Sequence, residues 1–323
     1  MEIYRHNWFQ TLLGMTETSW IKNPIITENI NMGEFSVISI GELTERAKTS
    51  ITGNNEIPDF VIYVRKHDDC NDTYFDTSSL QLMNYDTQYP VMFQVASNFN
   101  CQENGSPIIN FKSGNYLTQL MSDSTQGPSA SAGAGAGAIL RLSKHLSSNI
   151  NLLKNTKYCS DVFEGKLYAS SHVSELDINK VCIGLHTNVC ANFDRSNYGK
   201  KCIYHEQGCV IDQVFTSTII NPLKKHTKLT KSLLRAAYLG TYLSALYRQT
   251  EVLVLTFIGG GCFDNPFDLI ISAIVNAHVQ LAHQSNLKKV ILPIFDISRS
   301  ANQIVTSLLE AGYPPDRIKI VEK

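Results

Sequence analysis

Val252-Leu-Val-Leu-Thr-Phe257 runs directly into Ile258-Gly259-Gly260-Gly261-Cys262-Phe263-Asp264-Asn265-Pro266, and a helical pattern follows from about Pro266 to His283. The apolar run has the composition of a strand covered on both faces. Glycines let backbone N–H groups come close to an anion, and a helix start adds partial positive charge. Pro266 suits the first helical turn and Asn265 suits the cap. Strand, glycine turn and helix together form a phosphate-binding arrangement. The alternative is a tight turn that holds nothing. No G-K-[ST] follows the glycines, which argues against a P-loop nucleotide triphosphatase.

Similar apolar runs recur outward from this point, at Phe35 to Ile40, Phe60 to Val64, Val91 to Val95, Val181 to Leu185, Val210 to Phe215 and Val290 to Phe295. Helical patterns lie between some of them, from about Leu229 to Tyr247 and from about Ala301 to Ala311, the latter closed by Gly312 and Pro314. Alternation of this kind predicts an α/β fold with a mixed or parallel sheet between helical layers. The polar stretch Ser147 to Lys157 is a candidate linker, but the glycine motifs on either side of it read as parts of one cleft, so one domain is preferred. Tyr238, Tyr242 and Tyr247 read as helix packing, and His278 and His283 as surface or packing residues.

An apolar share of 43% against 18% charged residues fits a globular chain with a sizeable core. A net charge of -1 argues against a surface built on neutralising a nucleic-acid backbone. No apolar run approaches the roughly 20 residues of a membrane span, and Met1 to Met15 does not read as a signal peptide. A soluble, cytoplasmic chain, or a delivered effector, is expected. Among eight cysteines, Cys182, Cys190, Cys202 and Cys209 stand near His186 and His205. Their spacing is too long and irregular for a common zinc module, so reduced thiols and no metal are expected.

Two further segments carry polar chemistry. Asp123-Ser-Thr-Gln-Gly-Pro128 leads through a run of alanines and glycines to Ala138, where small residues would let a helix start lie close to a ligand or another backbone. Gly133, Gly135 and Gly137 lack the preceding strand and the spacing of a dinucleotide fingerprint. Val91-Met-Phe-Gln-Val-Ala-Ser-Asn-Phe-Asn100, followed by Cys101, Gln102 and Glu103, ends a strand in amides and a carboxylate. Such groups can fix a ribose or an adenine edge, or simply cap the strand.

Taken in order, F-Q-V-A-S-N-F-N-x-x-E, D-x-T-Q-G-P and G-G-G-x-F-x-N-P resemble the macrodomain family, in its MavL-type branch of arginine-specific ADP-ribosylhydrolases. Ile183-Gly-Leu-His186 and Asp212-Gln-Val-Phe-Thr-Ser217 resemble strand segments of that branch, and the similarity spans roughly Phe60 to Phe295. The resemblance implies a three-layer α/β/α fold with a central mixed sheet, residues 51–323 forming the domain and 1–50 an extension packed on it. It implies that Gly259, Gly260, Gly261, Cys262, Phe263 and Asn265 hold the diphosphate and distal ribose of ADP-ribose, with Ser97, Asn98, Asn100, Gln126 and Gly127 lining the same end of the cleft. ADP-ribose is ligand rather than cofactor. The implied partner is ADP-ribosylated protein, with ubiquitin one candidate and with no nucleic acid or membrane.

The implied reaction is hydrolysis of the bond from the distal ribose to an arginine guanidinium. Asp123 and Glu103 are the first candidates for the carboxylates this needs, and Asp194 and Asp212 the second pair. Three positions depart from the resemblance. Asn188 stands where an acidic residue is expected, Asp264 stands where glycine is usual, and Ile219 to His226 lacks an expected aromatic residue. A non-catalytic ADP-ribose reader is therefore the alternative to a hydrolase.

Overall fold

The computed structural model describes residues 2–4, 6–24, 30–51, 56–64, 87, 89–102, 114–120, 135–168, 176–195, 201–220, 228–294 and 300–322. Among the described residues nine strands form one mixed sheet: β1 (Glu2–Tyr4), β2 (Glu34–Ser39), β3 (Asp59–Val64), β4 (Met92–Ala96), β5 (Cys182–Arg195), β6 (Lys201–Thr216), β7 (Val252–Val254), β8 (Lys289–Ile294) and β9 (Ile318–Glu322). Their order is β2-β5-β6-β4-β7-β8-β3-β9, with β1 also paired to β6. From β6 to β9 every neighbouring pair is parallel, while β2, β5 and the pairing of β1 are antiparallel.

The helices are α1 (Trp8–Leu13), α2 (Glu17–Lys22), α3 (Ile40–Lys48), α4 (Tyr116–Leu120), α5 (Ala136–Ser148), α6 (Lys228–Tyr247), α7 (Phe267–Leu281) and α8 (Ser300–Glu310). α3, α6, α7 and α8 pack in series over one face of the sheet. α5 lies on the other, against the side chains of His186 and Val189. Alternate residues of β3 serve the two faces, with Phe60, Ile62 and Val64 in one core and Val61 and Tyr63 in the second. That double burial is why the parallel strands read as unbroken apolar runs. The result is the expected α/β architecture, a mixed sheet between helical layers.

Residues 1–50 contribute β2 to the sheet and α3 to the helical layer. Farther toward the N-terminus, the buried Glu17 carboxylate of α2 accepts the backbone N–H groups of Leu117 and Thr118 at 2.8 and 2.9 Å, seating the first turn of α4. The polar stretch from 147 to 157 is pinned inside the domain. Leu152 N–H donates to the Phe99 carbonyl at 2.7 Å and the Leu152 carbonyl accepts from Cys182 N–H at 2.8 Å, while Leu153 is buried beside it.

Several local expectations shift. The strand expected over 252–257 closes at Val254, because Thr256 N–H turns away from the ladder to the side-chain carbonyl of Gln94 at 3.2 Å. The strand begun at Val181 continues instead to Arg195, through an irregularity between His186 and Val189 where Asn188 has a φ of 54°. β9 was not expected; four of its five residues are exposed, so it has none of the apolar burial that marks the other parallel strands. His278 is fully buried, with its Nδ1 2.9 Å from the Tyr242 hydroxyl. Gly135 and Gly137 serve packing: a Cβ on either would come within 2.4 Å of the Phe193 ring or 2.7 Å of Val189. The small residues there bring helix to strand.

Candidate ligand-binding site

Because β4, β6, β7 and β8 run parallel, their carboxyl ends share one edge of the sheet, the edge where open α/β sheets bind ligands. Three chain segments meet there: residues 97–102 after β4, 217–220 after β6, and 255–266 between β7 and α7.

The glycine turn is held from several sides. The Tyr238 hydroxyl, on α6, donates to the Thr256 carbonyl at 2.9 Å and accepts Ile258 N–H at 3.1 Å. Burial pushes the Tyr238 phenol well up from its ordinary value, so it stays a neutral donor. Asn265 N–H donates to the Gly259 carbonyl and Asp264 N–H to the Gly261 carbonyl, both at 2.9 Å. Gly259 has a φ of 76°, and a Cβ there would lie 2.5 Å from Asn265 Nδ2 and 2.6 Å from Thr218 Cγ2. Only glycine fits that position. Asp264 also adopts the left-handed region, at 50°, which is the conformation that makes glycine usual in that place.

Asn265 does not cap the helix. Pro266 takes the cap position, and the Asn265 Nδ2 instead donates at 2.9 Å to the carbonyl of Ile219, three residues past the end of β6.

What the turn leaves unbonded defines the site. Gly260 N–H is used, to the Phe257 carbonyl at 3.1 Å. The N–H groups of Gly259, Gly261, Cys262 and Phe263 donate to no acceptor among the described residues. Gly261 and Cys262 are exposed, Phe263 is half-buried, and all precede the amino end of α7. Successive unpaired amides at a helix start make a concavity suited to oxyanions.

Facing segments carry further orphan groups. Asn98 Nδ2, Thr216 Oγ1, Ser217 Oγ, Thr218 Oγ1 and Asn265 Oδ1 are buried with no hydrogen-bond partner among the described residues. Buried polar atoms are nearly always paired, and five that are not cluster around this one edge. In the 97–102 loop the other polar side chains are already used. Ser97 Oγ donates to the carbonyls of Asn98 and Thr216, and Asn100 Oδ1 accepts Gln102 N–H at 3.1 Å. Asn98 Nδ2 is buried without a partner among the described residues and is open to a ligand, while Ser97 Oγ and Asn100 Oδ1 also hold the loop in shape.

The carboxylates divide. Asp123 and Glu103, with Gln126 and Gly127, lie outside the described residues. Asp212 is buried and pairs with Met92 at the start of β4, whereas Thr216 pairs with Ala96 at its carboxyl end. The length of β4, roughly 13 Å at about 3.3 Å per residue, separates it from the edge. There it accepts Arg248 Nε at 2.8 Å and Asn188 N–H at 2.7 Å. Burial raises its pKa above the ordinary carboxylate value, against the pull of those two donors. Asp194 pairs with Ile203, still farther along the β5–β6 hairpin. The second pair of candidate acids is thus remote from the glycine turn, because register along β6 carries both toward its amino end. Asn188 joins the same pair: its backbone amide serves Asp212, its Oδ1 accepts Arg248 Nη2 at 3.3 Å, and its positive φ is one that asparagine tolerates.

The cysteine and histidine cluster also separates. Buried His186 places Nε2 2.7 Å from the Met32 carbonyl and Nδ1 3.3 Å from Arg141, and burial, with help from Arg141, pushes its pKa down to about 3. Among the described residues no group of three or more His, Cys, Asp or Glu is arranged to hold a metal, and no helix is long and apolar enough to cross a membrane.

No family model and no curated protein matches the chain. Solved structures do. It is similar to poly(ADP-ribose) glycohydrolase from Thermomonospora curvata, at 12% identity and a TM-score of 0.49, over 91% of this chain and 88% of that one. It is similar also to poly(ADP-ribose) glycohydrolase from Deinococcus radiodurans, in apo form (9% identity, TM-score 0.47, over 87% and 94%) and in complex with ADP-ribose (11%, 0.44, over 85% and 93%). At these scores the chemistry of the site rests on its own residues.

The residues that sequence reading missed are Tyr238, Gln94 and Thr216 to Thr218. Tyr238 lies on a helical stripe that looks like ordinary packing, and Gln94 sits inside a strand. Only the side-chain partner distinguishes either from a core residue.

Proposed function

We propose that this chain is a macrodomain of the MavL-type branch that binds ADP-ribose at the carboxyl edge of its sheet and hydrolyses it from arginine in modified protein. The observation that carries the reading is the set of unbonded amides at Gly259, Gly261, Cys262 and Phe263, set against the buried orphan groups of Asn98 and Thr216 to Thr218. A diphosphate supplies acceptors for the amides, and ribose hydroxyls supply both donors and acceptors for the amide and hydroxyl groups opposite. Gln126 and Gly127 complete the distal-ribose end in this reading.

In the reaction, a water oxygen bonds to the anomeric carbon of the distal ribose as the bond to the guanidinium nitrogen breaks. The leaving guanidine keeps the electron pair, and a carboxylate takes the proton from water while stabilising the oxocarbenium-like transition state. Asp123 and Glu103 fill these roles. Ubiquitin is one candidate carrier of the modification.

The remoteness of Asp194 and Asp212 favours a second reading, a reader that binds ADP-ribosylated protein without cleaving it. Release of free ADP-ribose from proteins modified separately on arginine, serine and glutamate decides between them. A hydrolase releases it from the arginine-linked protein, and alanine at Asp123 or Glu103 then removes turnover while affinity stays within about tenfold, roughly 1.4 kcal/mol. A folded protein that binds ADP-ribose and releases none is a reader.

A further inference from the structure

Residues 163–168 form a small hairpin that the proposed ligand contacts do not explain. Phe163 N–H donates to the Lys166 carbonyl at 2.9 Å and Lys166 N–H returns the bond at 2.8 Å. Between them Glu164 and Gly165 both have positive φ, 48° and 79°, the signature of a type I′ turn.

This hairpin is fastened to two of the segments at the carboxyl edge of the sheet. Phe99 N–H donates to the Gly165 carbonyl at 2.7 Å, and a Cβ on Gly165 would lie 2.6 Å from Asn100 Cγ. On the other side Ile220 N–H donates to the Leu167 carbonyl at 2.8 Å, and Tyr168 bridges Ile220. The preceding residue, Ile219, is the one that receives the Asn265 amide. The hairpin therefore stands on the rim between the Asn98 loop and the chain leaving β6, close to the glycine turn.

Its backbone is pinned and Leu167 is buried, yet Phe163 is 69% exposed and Tyr168 52%. A single exposed apolar residue needs no explanation, but two aromatics held on one anchored hairpin beside the proposed ligand edge form a ready-made contact surface. Rings this open to solvent suit a partner that arrives from outside. The base of an enclosed nucleotide would instead be covered by buried walls.

We propose that Phe163 and Tyr168 dock the polypeptide that bears the ADP-ribose and so set preference for modified protein over free ADP-ribose. Their faces take the apolar residues and the guanidinium or aliphatic stems that flank a modified arginine. This rests on the ADP-ribose reading above.

The test uses the full chain and three probes: ADP-ribose, an arginine-containing peptide, and the same peptide joined to ADP-ribose by a non-cleavable carbon linkage at the anomeric position. The intact chain binds the conjugate about tenfold or more tighter than ADP-ribose. The double substitution Phe163→Ser and Tyr168→Ser removes that advantage and leaves ADP-ribose affinity within about twofold, which also reports that the protein is folded. Equal affinity of the intact chain for conjugate and ADP-ribose overturns the proposal. So does an equal loss for both probes in the variant, which would assign the rings to the nucleotide. Failure of the intact chain to bind either probe overturns the ADP-ribose reading itself, and this one with it.

Discussion

The side-chain amide of Asn265 reaches 2.9 Å across to the carbonyl of Ile219, joining the end of the glycine turn to the segment that leaves β6. The same nitrogen lies 3.3 Å from the Gly259 carbonyl and 3.4 Å from that of Phe263. One buried side chain thus holds both walls of the cleft in register. Asn265→Ala leaves the Ile219 carbonyl without this donor, while the backbone N–H still serves Gly259, at a cost of roughly 1–3 kcal/mol. ADP-ribose affinity should fall by about tenfold as the turn loosens. Urea unfolding and titration calorimetry measure the two effects; lost stability with unchanged affinity would separate this turn from the ligand.

Gly259 and Gly261 are predicted to behave differently. A methyl group on Gly259 meets a positive φ and two close neighbours, so Gly259→Ala should destabilise by about 1–2 kcal/mol or more. Nothing lies within 4 Å of a Cβ on Gly261, so Gly261→Ala should leave stability within about 0.5 kcal/mol. Its methyl still intrudes where the diphosphate is proposed to lie, and weaker binding at unchanged stability is the expected outcome. Gly260→Val combines both effects, since its Cβ comes within 2.4 Å of the Phe257 ring.

Arg248 neutralises a carboxylate whose side chain is only 1% exposed. Arg248→Ala strands that charge and should cost about 3–5 kcal/mol. Burial already raises the Asp212 pKa, and removing the cation raises it further. Protonation then relieves the penalty, so the variant should lose more stability at pH 8 than at pH 5. Asp212→Asn should leave ADP-ribose release within a few-fold of the intact chain; a complete loss would return Asp212 to the catalytic candidates.

His186 and His278 are both pushed down to about 3, chiefly by burial. The folded protein keeps them neutral while the unfolded chain takes up protons near the ordinary value of about 6.5. The unfolded state therefore binds more protons between these values, and stability falls as pH drops through that window. At pH 5 the loss is about 2 kcal/mol for each. Denaturant midpoints at pH 7 and pH 5 test this, and a variant lacking one of the two imidazoles should show a smaller fall.

Asp264 follows directly on the unbonded amides, in a backbone conformation that suits glycine. Asp264→Gly removes a like charge from the diphosphate and should tighten ADP-ribose binding several-fold at low salt, less at high salt. Calorimetry at two ionic strengths checks both the sign and the screening.

Much of the scaffold was readable locally. The helix expected over 229–247 spans Lys228–Tyr247, and the runs expected at 60–64 and 290–295 are, over the described residues to Ile294, parallel neighbours buried on both faces. Period and composition report burial, and burial in the inner parallel strands is near complete. The long β5–β6 hairpin was less legible, since polar residues such as Asn188 and Asn192 sit within it, and Asn192 makes its bond to the His205 carbonyl across the pair.

The sequence by itself determined a strand, glycine turn and helix at 252–283, and alternating apolar runs that can only be covered by helical layers, because those depend on neighbours along the chain. It also placed amides and carboxylates in motifs near strand ends. Tertiary structure alone decided which of them meet. Thr256 leaves its ladder for Gln94, Tyr238 reaches from α6 to brace the turn, and Asp212 is drawn to Arg248 at the far end of the strand. Each is a hydrogen bond between residues distant in sequence, set by strand order and register, and neither leaves a periodic trace along the chain.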